Sequence, residues 1–103
     1  MSPSVATRDR ILDISVNLTR IGDWIADSFP EKKDLIKLFL NQTDYYLSQL
    51  KDAKVSQDLE SVLEMFSSEF AKLKVAQIQK DRDYWAEKAL TWANILSHRA
   101  KFA

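Results

Sequence analysis

The sequence predicts an all-α protein folded as an antiparallel up-down four-helix bundle, and three observations carry that prediction. Glycine and proline are scarce: one Gly at position 22, prolines at positions 3 and 30, and neither type from Glu31 onward. Beyond Pro30 nearly every residue is a good or neutral helix former, and the β-branched clusters of strands are missing. Apolar residues recur every third or fourth position, the rhythm of a packed helical face. With 103 residues the chain is read as a single helical domain over 1–103, frayed over 1–5.

The first helix is expected to start near Ser4 or Thr7, either of which can act as N-cap, and to run to about Asp27. Ile11, Ile14, Leu18, Ile21 and Ile25 form its stripe. The stripe keeps its phase through Gly22, so Gly22 is read as a mid-helix residue. It costs about 1 kcal/mol relative to Ala, tolerable where a neighbouring helix comes close. Ser28-Phe29-Pro30-Glu31 is the clearest punctuation. Ser28 can cap a new helix, Glu31 can reach back to it, and Pro30 fits a first turn, where its missing N–H does no harm.

The second helix is expected from about Pro30 to Asp52, with Ile36, Phe39, Leu40, Tyr46, Leu47 and Leu50 inward and Thr43 in line. Leu38 and Tyr45, seven residues apart, fall near the opposite side. Asp52 to Val55 reads as a loop. Ser56 caps the third helix, whose acidic first turn (Asp58, Glu60) suits the helix dipole. Its stripe is Leu59, Val62, Leu63, Phe66, Phe70 and Leu73.

The junction between third and fourth helices has two readings. Lys74 to Asp83 holds no breaker, so one helix over about 56–100 is allowed locally, which with the N-terminal hairpin would need a second copy to complete its core. Yet the Leu59–Leu73 and Trp85–Leu96 stripes are out of phase on a continuous helix at 100° per residue. A break near Gln77–Asp81, with Asp81 as N-cap, lets both face one interior. Phase reports packing and propensity is a weak prior, so the break is favoured. The Tyr84–Leu96 stretch, with Trp85, Ala89, Trp92 and Leu96 aligned and Tyr84 and Ile95 flanking, is expected to be the most buried element.

Composition excludes more than it assigns. There are 15 basic and 15 acidic residues, and without a basic excess neither nucleic acid nor an anionic membrane is an expected partner. There is no cysteine, which removes disulfides, thiolate nucleophiles and Cys-ligated metals. No apolar run approaches a membrane span or a signal-peptide core, so a cytoplasmic protein is expected.

Chemistry is equally thin. His98 is the single histidine, and its i−3 neighbour is Ile95, so the Glu-x-x-His pairs of di-iron bundles are missing. His98-Arg99-Ala100-Lys101 has the H-x-x-K spacing that opens the motif of histidine phosphotransfer bundles. Phe102 stands where that motif has Gly, and the match lies at the end of the chain; the reading is a last-turn surface histidine. A single Gly cannot build a phosphate-cradling loop. No catalytic residue, cofactor-binding residue or metal ligand is therefore assigned, and the chain is read as no enzyme.

What remains is a small protein-protein interaction or regulatory module that self-associates as a homo-oligomer, with partner unknown. Trp24, Leu38 and Tyr45 are the candidate contact residues, since Tyr and Trp are favoured interface anchors. The second reading is a bundle that binds a small apolar or aromatic ligand between helices near Trp85, Trp92 and Tyr46, which requires a closed cavity of a few hundred Å3.

Overall fold

The computed structural model describes residues 4–102, with no side-chain description at Phe102. Among them the chain is all-helical. Three α-helices stand where four are expected: α1 (Val5–Gln49), α2 (Gln57–Lys74) and α3 (Arg82–Phe102), with a short 3-10 turn, Ile78–Lys80, ahead of α3.

Helix α1 starts at Ser4, whose Oγ accepts a hydrogen bond from the Thr7 N–H at 3.1 Å. Its length is the main departure from the sequence reading. The expected boundary after Asp27 is present only as one non-helical residue, Ser28 (φ −144°, ψ 33°), inside a helix of 45 residues. Pro30 explains the position, because it has no N–H to give the carbonyl of Ala26 and so interrupts the ladder there. A straight helix of that length would measure about 67 Å, whereas the longest extent of the molecule is 42 Å. The helix doubles back at Ser28, and contacts between its limbs, 5–27 and 29–49, confirm it. Trp24 meets Phe39 edge-on with ring centroids 5.1 Å apart. Asn17 Nδ2 donates to Gln42 Oε1 at 3.0 Å and to Thr43 Oγ1 at 3.3 Å.

Ser56 caps α2 as expected, its Oγ accepting from the Leu59 N–H at 3.2 Å. Residues 75–81 then leave the α-helical conformation, so the continuous rod over 56–100 is not formed. Ile78 turns into the core, which pins the connection. Asp81 stands directly before α3, and its carbonyl accepts from the Trp85 N–H at 3.2 Å.

Two kinds of helix contact build the interior. The first limb of α1 and α3 lie close, because the facing residues are small: Gly22 on one side, Ala86, Ala89, Ala93 and Ala100 on the other, all buried. A Cβ built on Gly22 would come within 2.7 Å of Leu90 Cγ and 3.2 Å of the Ala86 carbonyl oxygen, which is why glycine sits inside this helix. Ser15 Oγ donates to the Ala93 carbonyl at 2.7 Å across the same seam. Helix α2 is held off by large rings instead: Phe66 packs on Trp92 at 5.4 Å and beside Phe70 at 5.5 Å.

This arrangement corrects the expected centre of the fold. The most deeply buried stripe belongs to the first limb of α1, where Ile11, Ile14, Leu18, Ile21 and Ile25 are 0–1% exposed. On α3 the inward line is Ala86, Ala89, Ala93, Leu96 and Ala100, while Trp85 and Trp92 are only half-buried and Tyr84 is exposed. Indole rings are too large for a close helix seam, so the alanine line faces α1 and the tryptophans fall to the flank that α2 covers.

Candidate surface for a protein partner

The second limb of α1 buries Phe29, Ile36, Leu40 and Thr43, with Leu50 buried directly after it, and that registration decides what faces outward. Leu38 and Tyr45 are both 59% exposed, and Leu35 is exposed beside them. The spacing 35, 38, 45 keeps the three–four rhythm, so the three side chains share one helical face. Asn41, Gln42, Ser48 and Gln49 lie between and beside them, exposed and uncharged, and exposed Asp34 stands one turn before Leu38. Tyr45 is steadied locally: its ring hydroxyl accepts from Gln49 Nε2 at 3.1 Å. Ser48 Oγ bonds to its carbonyl at 2.6 Å.

Trp24 is placed differently from the other two candidates. It is half-buried in the seam between the limbs, against Phe39, whose ring also carries the Arg20 guanidinium at 5.7 Å. Leu35 was missed by the sequence reading, although the Leu38–Tyr45 repeat extends back to it.

Arg82, also missed, closes the break in α1 from a distance. Its Nε donates to the Ile25 carbonyl at 3.1 Å and its Nη2 to the Ala26 carbonyl at 3.2 Å. The second of these is the carbonyl that Pro30 cannot serve, so α3 satisfies from its first turn an acceptor the limb end leaves open.

The small-ligand reading fares poorly in its own location. The space among Leu18, Phe66, Phe70, Trp85 and Trp92 is about 10 Å3, no more than a single water requires and far below ligand size. Tyr46 does not line it; its ring lies under the Arg10 guanidinium at 4.4 Å. Among the described residues no group of three or more His, Asp or Glu side chains is placed to hold a metal ion, and no helix is long and apolar enough to cross a membrane. His98 is exposed in the last turns of α3.

In comparison with known proteins, no family model, no curated protein and no solved structure matches this chain.

Proposed function

We propose that the chain is a small, non-catalytic interaction module of the cytoplasm that works as a homodimer, joined through the outer face of the second limb of α1. In this reading the two limbs of α1 count as separate helices, and with α2 and α3 they make an up-down four-helix bundle whose interior is complete within one copy. The observation that carries the proposal is the pair Leu38 and Tyr45, each 59% exposed, with uncharged Asn41, Gln42, Ser48 and Gln49 around Tyr45 and the carboxylates of Glu31 and Asp34 confined to the end before Leu38. A two-fold interface places the same patch against itself, so a patch with net charge would repel its copy. With the two-fold axis near Tyr45, the uncharged stretch meets its copy and Asp34 stays at the rim, and a chain of zero net charge lacks long-range repulsion as well. Trp24 supports the face from behind by fixing Phe39.

The patch is small beside the ~800 Å2 per partner of standard interfaces, so the dimer is weak and concentration-dependent. Sedimentation equilibrium over a wide concentration range tests it. The expected result is reversible dimerisation that Leu38→Asp with Tyr45→Asp abolishes, since two facing charges are then buried. A monomer at every concentration, or a dimer indifferent to both substitutions, refutes the proposed face.

A further inference from the structure

A second surface differs from the first in both shape and charge. Because Phe66 and Phe70 hold α2 away from α3, a groove of about 860 Å3 stays open along their outer sides. Val62 and Met65 line it from α2, and Trp92 and Ile95 from α3. Met65 is 61% exposed, and the other three are half-buried. Trp92 therefore packs on Phe66 and still lines the groove. The ionisable side chains lining the groove are His98, Arg99 and Lys101, with no acid among them, in a chain whose overall charges cancel.

We infer that this groove binds an acidic amphipathic helix from a partner protein, its apolar stripe seated on Met65, Trp92 and Ile95 and its carboxylates against Arg99 and Lys101. Apolar side chains from two neighbouring helices are the lining that helix-in-groove recognition uses. Methionine is an adaptable lining for such a contact and tryptophan a strong anchor. The basic rim selects the sign of the partner: a helix with lysines on its flanks meets like charge, and one with glutamates meets opposite charge. A second copy of this chain is disfavoured here, because a basic rim against its own copy repels.

The test uses a fluorescently labelled synthetic helix with leucines on one stripe and glutamates elsewhere, and a matched peptide with lysines in place of the glutamates. Anisotropy titrations against the full chain are expected to show saturable binding of the glutamate peptide alone. Met65→Glu and Arg99→Glu are each expected to weaken it by about tenfold or more, equivalent to ~1.4 kcal/mol. Both positions are exposed, so circular dichroism should show unchanged helix content. Leu38→Asp is expected to leave peptide binding intact, which separates this inference from the dimer proposal. Equal binding of both peptides, no saturable binding, or indifference to Met65→Glu and Arg99→Glu overturns it.

Discussion

Replacing Gly22 by alanine sets two known effects against each other. In an open helix interior the change stabilises by about 1 kcal/mol, since alanine restricts the unfolded chain and glycine does not. At position 22 the added Cβ would lie 2.7 Å from Leu90 Cγ, 2.8 Å from its Cδ2 and 3.2 Å from the Ala86 carbonyl oxygen. Leu90 Cγ is a branch point and cannot retreat by turning a methyl alone, and the carbonyl belongs to the α3 backbone. Overpacking of this kind costs roughly 1–3 kcal/mol, so Gly22→Ala is expected to destabilise by about 1 kcal/mol net. For a domain of this size that lowers Tm by about 4–8 °C. Urea unfolding followed by circular dichroism and tryptophan fluorescence measures it, at one fixed protein concentration because self-association would add to stability. The same substitution in a Leu90→Ala background separates the two effects. With the leucine gone only the 3.2 Å contact remains, and the penalty should shrink by about 1 kcal/mol or reverse. If Gly22→Ala stabilises the otherwise unchanged chain, or acts equally in both backgrounds, the account of this seam is wrong.

Two further predictions concern polar groups that hold the bend. Arg82→Met removes two charge-assisted hydrogen bonds to the Ile25 and Ala26 carbonyls; at a half-buried site where water can partly replace them, about 2 kcal/mol is expected in urea unfolding. Amide exchange at residues 27–29 and 31 should accelerate beyond that global loss, and unchanged exchange there would contradict the latch. Thr43→Val replaces a fully buried hydroxyl that donates to the Phe39 carbonyl at 2.8 Å and accepts from Asn17. Asn17 keeps Gln42 as acceptor, so the expected cost is about 1 kcal/mol by thermal unfolding, and a loss of several would mean that the limbs depend on this bond more than its geometry implies.

Local signals carried much of the fold. Ser56 acts as the cap it was expected to be, and Ser4 is the one of the two first caps offered, Ser4 or Thr7. The phase mismatch between Leu59–Leu73 and Trp85–Leu96 called for a break near Gln77–Asp81 that falls over 75–81. Gly22 was legible as a close approach because the isoleucine stripe ran through it unbroken. The reversal near Pro30 was placed correctly, but its economy was not. A short break between about Asp27 and Pro30 was expected, whereas departure at Ser28 alone turns the chain, because proline's fixed φ already suits a helix. The orientation of α3 was hidden for a different reason. Hydrophobicity ranks tryptophan over alanine, yet the distance between helices chooses the smaller residue, and that distance exists only once α1 is in place. Arg82 joins residues 56 and 57 positions away, beyond the reach of any local pattern. For the candidate surface, the outward phase of Leu38 and Tyr45 was readable, while the groove between α2 and α3 depends on how far Phe66 and Phe70 prop the helices apart.

The tightest seam unites the first limb of α1 with α3, which leaves the ribosome after α1 and α2. Until α3 emerges, Ile14, Leu18 and Ile21 have no alanine line to rest on, and the nascent chain displays an oily strip that its own later residues must cover. Joining segments so remote in order means closing a long loop first, which slows assembly relative to bundles stitched from successive neighbours. A chain truncated before Arg82 would forfeit the wall that seals its isoleucines and the guanidinium that quiets the bend, leaving a sticky fragment instead of a smaller version of the same protein.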